Sequence, residues 1–352
     1  MRLVRWIILT VFAFGAVGAA GAAELRIQNT LAVPLWQAYA ARFLDESGRI
    51  IDNANGGISH TEGQGYGMLL ALAADDRASF ERIWSFTRTQ LLLRSDGLAA
   101  WSWRPSEPHV PDINNASDGD LLLAYALAAA GRAWQVPRYI QAAVGIATAL
   151  GSNAVIMHNG VPILLPAVQG FGKGDRDDAP VVNLSYWVFE ALPLMQQLAP
   201  KTDWMGLQKS GLSLIGAARF GNARLPSDWI SLSGKFPAPA AGFDPVFGYN
   251  AIRIPLYLIR AGISDPALLG PFADAWRNAE RSGLPLINVA TNQVTAMPTN
   301  PGYRMLPALI ACVTAGTPLP PDLKMFTPMQ YFPSTLFLLS ISYISERHPE
   351  CL

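Results

Sequence analysis

Segments with apolar residues at helical spacing run through most of the chain, and they limit its fold more than any other feature. Their Ala- and Leu-rich composition favours helices over strands. The segments cover residues 67–74, 80–93, 120–134, 137–150, 184–198, 207–220, 251–261, 266–282, 303–315 and 333–346. Proline and glycine fall mostly between them, where they end helices. The pattern predicts an all-α protein with about a dozen helices.

The order of these segments narrows the architecture further. Strands do not alternate with helices, which argues against a doubly wound α/β fold. There is no Ser- or Pro-rich linker of the kind that separates domains. Paired helices that close into a toroid account best for such a chain. Residues 221–249 are rich in Pro and Gly and less helical, and long loops of this kind are often functional.

The N-terminus has the features of an export signal. A positively charged start is followed by an apolar run over residues 6–17 and by small residues that end in an A-x-A pattern at Ala22. We predict a signal peptide over residues 1–23 and a single domain over residues 24–352. An uncleaved membrane anchor is the alternative, but the Gly and Ala content and the cleavable end favour removal. The mature protein is therefore predicted to be periplasmic or secreted.

Charge and cysteine content exclude some functions. The chain has 26 Lys and Arg against 26 Asp and Glu, so its net charge is zero. Nothing in this balance attracts a phosphate backbone over long range, and nucleic acid is not expected as a partner. In an oxidising compartment, Cys312 and Cys351 can pair. One buried thiol and one C-terminal thiol is an equally acceptable interpretation of the sequence.

The sequence around Glu62 is the first candidate site. Residues 59–70 read S-H-T-E-G-Q-G-Y-G-M-L-L, which places a carboxylate at the entry to an apolar helix. A catalytic acid is one interpretation, with the glycines letting a bulky substrate approach the backbone. The alternative is a helix-end residue favoured by the helix dipole. A phosphate loop is excluded by the glycine spacing and by the repulsion between Glu62 and an anion.

A second polar cluster precedes the helix predicted at residues 121–134. It reads N-N-A-S-D-G-D over residues 114–120. Ser117 or Asp118 can cap this helix. Paired acids and amides at one helix start exceed what capping needs, which favours a functional role for some of them.

Tryptophans form the third candidate. Trp101 and Trp103 flank Ser102, so both rings lie on one face of an extended segment, with Asp112 downstream. Flat aromatic surfaces bind sugar rings, and Trp combines a large rigid area with a polar N–H. Core packing is the more common role of any single Trp.

Together these motifs resemble glycoside hydrolase family 8, the bacterial cellulase family. The matching elements keep their order along nearly the whole predicted mature chain. They are E-G-Q-G-Y-G-M (62–68), A-S-D-G-D (116–120), N-L-S-Y (183–186), Y-N-A-I-R (249–253) and Y-F-P-S-T-L (331–336). Leu184 stands where the family has Pro. Within the family, the chain is most similar to periplasmic cellulases that accompany bacterial cellulose synthesis.

The resemblance implies an (α/α)6 barrel with a substrate groove across the helix N-termini. It implies endo-cleavage of a β-1,4-glucan with inversion at the anomeric carbon. The family's general acid falls on Glu62, and the residue that holds the sugar in a distorted shape falls on Asp118. The resemblance further implies substrate-binding positions at Tyr66, Trp101, Trp103, Tyr186 and Arg253. A monomer is expected, with the cellulose synthase export machinery as a candidate partner.

Asn250 departs from the family pattern. Many members carry the general base there as Asp, whereas an amide can orient water but is a poor proton acceptor. An inverting enzyme needs a carboxylate that takes a proton from the attacking water. Some branches of the family also have Asn at this position and supply a Glu from an inserted loop, but no Glu occurs here between Glu190 and Glu280. We therefore hypothesise that Asp244 supplies the base, with Asp228 as the next candidate.

The sequence implies no metal and no cofactor, because its histidines are widely spaced and no H-E-x-x-H motif occurs. His60 lies two residues before Glu62 and is interpreted as a polar loop residue. A glucan-binding protein impaired in its base is the main alternative to an active enzyme. Another β-1,4 polymer, such as chitosan, xylan or mixed-linkage glucan, is the alternative substrate.

Overall fold

The structure, a computed structural model, describes residues 26–352. The predicted signal peptide over residues 1–23 lies outside them, and the division into signal peptide and single domain stays a prediction. The helices, in chain order, are α1 (Val33–Phe43), α2 (Thr61–Ala73), α3 (Arg77–Gln90), α4 (Ser117–Ala133), α5 (Pro137–Asn153), α6 (Leu192–Leu198), α7 (Trp204–Ala217), α8 (Ile254–Arg260), α9 (Pro266–Ala275), α10 (Ala279–Ser282), α11 (Pro301–Ala315) and α12 (Tyr331–Arg347).

Short antiparallel strands occupy the connections between helices. They are β1 (Ser59–His60), β2 (Ser102–Trp103), β3 (Val155–His158), β4 (Val161–Leu164), β5 (Val181–Val182), β6 (Ile230–Ser231), β7 (Ala238–Pro239), β8 (Val246–Phe247), β9 (Leu286–Asn288) and β10 (Val294–Ala296). They pair as β1–β2, β3–β4, β5–β6–β7 and β8–β9–β10. None of these small sheets contributes a layer to the core, so the described residues form an all-α protein, as predicted.

The helices form two concentric layers. An inner ring closes through contacts of α2 with α4, α4 with α6, α8 with α11, α11 with α12 and α12 with α2, while the 3-10 turn Phe189–Ala191 links α6 to α8. Helices α1, α3, α5, α7, α9 and α10 pack around that ring. Inner helices are buried on nearly all sides, whereas outer helices bury one stripe. This is the predicted (α/α)6 barrel.

Glycines in α2 set the close packing of the inner ring. A Cβ added at Gly65 would lie 2.6 Å from the Cβ of Leu122 on α4, and one at Gly67 would lie 2.5 Å from Ile50. Both spaces are filled by protein atoms, so Gly65 lets α2 pack closely on α4 and Gly67 makes room for Ile50, and neither opens the backbone to a substrate. The expectation that they admit a bulky ligand was wrong.

Two local predictions also need correction. Neither Ser117 nor Asp118 caps α4, because Ala116 occupies the N-cap position without a side-chain bond and the Ser117 hydroxyl donates to the carbonyl of Leu165, 2.6 Å away. The single helix predicted over residues 184–198 is divided into 3-10 turns followed by α6. Pro193 lies in the first turn of α6, where its missing N–H is tolerated, and for the same reason it cannot continue a helix that begins upstream.

The cysteines are paired. Cys312 on α11 and Cys351 near the C-terminus form a disulfide that joins the chain end to the barrel across a sequence separation of 39 residues. Both residues are buried. No helix of the described part is long and apolar enough to cross a bilayer.

Candidate active site

A cavity of about 620 Å³ opens over the N-terminal ends of the inner-ring elements. Helices α2, α4, α8, α11 and α12 contribute through their first residues or through those just before them, and the 3-10 turn Leu184–Tyr186 contributes Tyr186. The lining residues are Asp52, Ala54, Asn55, His60, Thr61, Glu62, Trp101, Ala116, Asp118, Tyr186, Tyr249, Asn250, Arg253, Tyr303, Gln330 and Phe332. Larger volume does not by itself mark a site, since a cavity of about 900 Å³ beside α9 has no comparable group of carboxylates in its lining.

Glu62 lies in the first turn of α2, where His60 fixes the start of the helix. The Nδ1 atom of His60 accepts a hydrogen bond from the backbone N–H of Gly63 at 3.0 Å. This bond makes His60 the N-cap, a role usually taken by shorter side chains. The Glu62 side chain retains 17 % of its exposure and faces the cavity. His60 thus has a defined structural role and is not merely a polar loop residue.

Arg253 connects the polar residues of the site. Its Nη1 donates to a Glu62 carboxylate oxygen and, at 3.2 Å, to Oδ2 of Asp118. Its Nη2 donates to the Ser185 hydroxyl and to Oδ1 of Asn250, both at 2.9 Å. The side chain is only 2 % exposed. A planar guanidinium suits several acceptors at fixed angles, so Arg253 sets the relative positions of the groups around it.

Asp118 is buried in the first turn of α4 beside this guanidinium. Burial raises the pKa of Asp118 to about 6; the charge of Arg253 opposes the rise, while the charge of Glu62 adds to it. The two carboxylates share one arginine, so the group carries an excess of negative charge when both are ionised. Raised pKa values of this kind are frequent at catalytic sites.

The other acid of the second cluster, Asp120, has a structural role. It accepts the backbone N–H of Ala99 at 2.9 Å and the amide of Asn115 at 3.0 Å. Burial raises the pKa of Asp120 to about 7. Of the two acids in A-S-D-G-D, only Asp118 lines the cavity.

Asn250 lies at the cavity wall with Asp228 behind it. The Asn250 Nδ2 atom lies 3.4 Å from Oδ2 of Asp228. Asp228 is 7 % exposed and does not line the cavity. Asp244, the carboxylate hypothesised as the base, is exposed and lies outside the lining. The structure therefore brings the second candidate, and not the first, into contact with Asn250.

Aromatic side chains flank the polar centre. Tyr186 and Trp101 line the cavity, and the indole N–H of Trp101 donates to Asp112 at 2.9 Å. A further aromatic group consists of Tyr249, Tyr303 and Phe332, whose ring centroids are 5.9–6.4 Å apart. Rings of this kind suit the apolar faces of sugars.

Two predicted substrate-binding residues lie outside the cavity. Trp103 has one face stacked on His109 at 4.6 Å, and the guanidinium of Arg49 lies 4.1 Å from its ring centroid. With its faces occupied, Trp103 offers no platform to a sugar, and its prediction as a binding residue is not supported. Tyr66 is fully buried below the site, where its hydroxyl bonds that of Tyr257. Tyr66 therefore supports the site from beneath and is out of reach of a ligand.

Sequence reasoning missed Asp52, Tyr303 and Phe332. Asp52 lies near His60, with 3.6 Å between its Oδ2 and Nε2 of the ring. No local motif marks Asp52 or Tyr303. Phe332 belongs to the matched Y-F-P-S-T-L element, so the sequence contained a signal from which it could have been predicted as a site residue. Among residues 26–352, no group of three or more His, Cys, Asp or Glu side chains is placed to hold a metal ion.

The arrangement suits acid-assisted cleavage of a neutral, ring-shaped substrate. Glu62 presents a carboxyl group to the cavity, Asp118 and Arg253 lie beneath it, and aromatic rings flank them. A proton donor and flat apolar surfaces are among the features that glycoside cleavage requires of a protein, together with a group that accepts the proton of the attacking water.

Comparisons with known proteins agree with this chemistry. The sequence model of Glycosyl hydrolases family 8 matches residues 9–343. A probable endoglucanase of Novacetimonas hansenii is 39 % identical over 272 residues, which is 76 % of this chain and 79 % of the relative. An endoglucanase of Cellulomonas uda is 38 % identical over 305 residues, or 84 % of this chain and 81 % of the relative.

A solved structure shows the same fold. The endo-beta-1,4-glucanase CMCax from Acetobacter xylinum superimposes with a TM-score of 0.80 at 36 % identity, covering 90 % of this chain and 99 % of that protein. The family match spans nearly the whole chain, and these three proteins are 36–39 % identical to it over most of its length. The chain belongs to family 8 of the glycosyl hydrolases.

Proposed function

We propose that this hydrolase is an inverting endo-β-1,4-glucanase that acts on cellulose-type glucan, with Glu62 as the general acid. The observation that carries the proposal is the position of Glu62, which faces an open cavity lined by aromatic rings and shares Arg253 with Asp118. Glu62 gives its proton to the leaving glycosidic oxygen while water attacks the anomeric carbon from the opposite face. The endoglucanase names of relatives at 38–39 % identity support the choice of substrate.

Asp118 and Arg253 prepare the sugar at the cleavage point in this proposal. Asp118 lies in the cavity floor, where a buried carboxylate beside the ring can accept hydroxyl hydrogen bonds and hold the ring in a distorted shape. Arg253 keeps Asp118 and Glu62 in register, since it contacts both. Tyr186 and Trp101 supply aromatic contacts on the cavity wall.

We place the protein in the periplasm or outside the cell, after removal of residues 1–23. The signal-peptide features of the sequence support this location. The Cys312–Cys351 disulfide adds support, because disulfides persist in oxidising compartments. The resemblance to cellulases that accompany cellulose synthesis supports a role in that synthesis, with the cellulose synthase export machinery as a candidate partner. We expect the enzyme to be a monomer.

Asn250 favours one other function, that of a glucan-binding protein without turnover. Its amide occupies the position at which many family members carry a carboxylate base. Against this alternative, a protein that only binds glucan has no need of Glu62 paired with Asp118 on one arginine.

The test is reducing-sugar release from carboxymethylcellulose by the wild type and by Glu62→Gln. We expect the wild type to hydrolyse the polymer and Glu62→Gln to lose about 10²–10⁴-fold in kcat, the usual contribution of a general acid. Glu107→Gln is the matched control, because Glu107 is 80 % exposed. Binding of cellohexaose should survive in Glu62→Gln.

Two other results would change the proposal. A wild type that binds cellohexaose without releasing sugar would support the binding protein. A wild type that neither binds nor cleaves cellulose-type glucan would require chitosan, xylan and mixed-linkage glucan to be tried with the same pair of proteins.

A further inference from the structure

The side chain of Asn250 is fixed in one orientation by groups of opposite kind. Its Oδ1 accepts from Nη2 of Arg253 at 2.9 Å, and its Nδ2 faces Oδ2 of Asp228 at 3.4 Å. Exchange of the amide oxygen and nitrogen would set donor against donor and acceptor against acceptor, so the network assigns the orientation. The amide thus bridges the cavity and a buried carboxylate.

Asp228 is held rigidly behind this amide. Its Oδ1 accepts the backbone N–H groups of Gly248 and Ala251, each at 2.9 Å. The next residue, Trp229, is stacked between Phe171 and Phe243, with ring centroids 5.3 and 4.7 Å away. Asp228 therefore keeps one carboxylate oxygen committed to the backbone and the other directed at Asn250.

The reaction proposed above requires a group that takes a proton from the attacking water. The carboxylates that line the cavity are Asp52, Glu62 and Asp118. Glu62 and Asp118 are bound to Arg253 and have other tasks, while Asp52 lies beside His60. Among the described residues, none of the three is hydrogen-bonded to Asn250, the residue at the family's base position, whereas Asp228 is.

We propose that Asp228 is the final acceptor of the water proton and that it acts through the amide of Asn250. This inference rests on the proposed glucanase function and names its missing base. Asn250 touches the water, and Asp228 gives the amide the acceptor that an asparagine alone lacks.

One O–H bond of the water breaks as its oxygen bonds the anomeric carbon, and the bond from that carbon to the leaving oxygen breaks as Glu62 protonates it. The water proton goes to Oδ1 of Asn250, and an Nδ2 proton goes to Oδ2 of Asp228. Asn250 is then an imidic acid and Asp228 a neutral carboxylic acid. Return of the Nδ2 proton and release of the Oδ1 proton to solvent restore Asn250 and Asp228, and Glu62 regains its proton from solvent.

Burial favours this role chemically. The low exposure of Asp228 raises its pKa above the ordinary value, although its backbone hydrogen bonds oppose the rise. A carboxylate with a raised pKa accepts a proton more readily, and the efficiency of a general base improves as its pKa approaches the working pH.

A double-mutant cycle tests the relay. We expect Asp228→Asn and Asn250→Ala each to lower kcat on cellohexaose by about 10²–10⁴-fold with little change in KM. Because both changes interrupt one path, Asp228→Asn should add almost nothing in the Asn250→Ala background. Effects that multiply would overturn the proposal, as would an Asp228→Asn enzyme with normal kcat. Asn250→Ala also keeps the test valid if Asp228→Asn fails to fold.

Rescue distinguishes a relay from a structural role. In Asp228→Asn/Asn250→Asp, a carboxylate touches the water directly, so kcat should recover by at least about tenfold over Asp228→Asn. A structural loss at residue 228 would persist in this double variant and would contradict the relay. Asp52→Asn tests the competing carboxylate of the cavity, and a loss of kcat there with normal activity in Asp228→Asn would overturn the relay and move the base to Asp52.

A measurement without substrate separates failure of the relay from failure of the glucanase proposal. In ¹⁵N-labelled wild type, the side-chain amide signal of Asn250 should shift as Asp228 titrates, and the shift should disappear in Asp228→Asn. A wild type that titrates in this way but cleaves no glucan would overturn the substrate assignment alone. An Asn250 signal that does not respond to Asp228 would overturn the relay, whatever the activity.

Discussion

Two buried arginines on one inner helix hold very different sets of partners. Arg253 lies just before the N-terminal end of α8 and Arg260 at its C-terminal end, about two helical turns apart and so on similar sides of the helix. Arg260 meets one carboxylate, Glu190, at 2.6 Å, with side chains 1 % and 2 % exposed. Arg253 meets two carboxylates, of which Glu62 is 17 % exposed.

The remaining contacts sharpen the contrast. Tyr125 on α4 donates to the second oxygen of Glu190 at 3.2 Å, and Arg260 donates to the carbonyl of Leu339 on α12 at 2.8 Å. The Glu190–Arg260 pair is therefore neutral and ties three inner helices together. The group around Arg253 carries excess negative charge when both carboxylates are ionised, and it has an open side. The same pairing of arginine and carboxylate therefore serves two purposes. Around Arg260 the charges balance and the pair connects helices, whereas around Arg253 two carboxylates share one arginine and the group faces the cavity.

Glu190→Gln should have the largest effect, on stability. Removing one partner of a buried ion pair leaves the other charge uncompensated, and we expect a loss of about 3–5 kcal/mol in the free energy of unfolding. Chemical denaturation with urea measures the loss. The specific activity of the folded fraction should stay normal; a fall in kcat of the folded enzyme would show that the two arginine groups are not separate in function.

Arg253→Lys should act in the opposite way. A lysine ammonium cannot hold Glu62, Asp118 and Asn250 in the geometry that a planar guanidinium gives, so kcat should fall by about 10²–10³-fold. The positive charge is kept, and the unfolding midpoint should change less than in Glu190→Gln. A large fall in the unfolding midpoint together with a nearly normal kcat would show that Arg253 is chiefly structural, and the contrast with Arg260 would fail.

Tyr125→Phe should give a smaller loss of stability. It removes a hydrogen bond to the charged Glu190 and is expected to cost about 1.5–3 kcal/mol. Tyr186→Phe is the matched change at the site, where Tyr186 lines the cavity. Urea denaturation and steady-state kinetics of both variants should show loss of stability for Tyr125→Phe and loss of activity for Tyr186→Phe.

The last expected effect concerns the pH dependence of stability. Burial raises the pKa of Asp118 from 3.8 to about 6 in the folded protein, so the folded state binds more protons than the unfolded state between these values. The contribution of Asp118 to stability is therefore fully present below about pH 4, is lost as pH rises towards 6, and is constant above.

Asp118→Asn should flatten this part of the pH dependence in urea denaturation from pH 4 to 7. Asp177→Asn controls for loss of a carboxylate, because Asp177 is exposed. Asp120, whose pKa burial raises to about 7, contributes a slope of the same sign that should survive in Asp118→Asn. If Asp118→Asn leaves the slope of the unfolding free energy against pH unaltered, the slope does not come from Asp118 and the prediction is wrong.

Much of the helical fold was predictable from local sequence. Apolar spacing located α3, α4, α5, α7, α9, α11 and α12, because an amphipathic or fully apolar helix shows its period directly. The spacing around Trp36, Tyr39 and Phe43, which are buried on α1, was overlooked. The β3–β4 hairpin was also missed, although Asn159-Gly160, with φ of 49° and 82°, is a strong turn signal between apolar runs.

The sequence by itself determined the all-α character, the family, and Glu62 and Asp118 as acids at helix starts, because these depend on residues close to one another in the chain. Only the tertiary structure decided which groups meet. Arg253 reaches Glu62 across 191 residues, Asp228 lies behind Asn250 across 22, and Trp103 turns away from Trp101's cavity to pack on His109. Closure of the inner ring sets these distances, and no local pattern encodes where a ring of helices brings its N-terminal ends together.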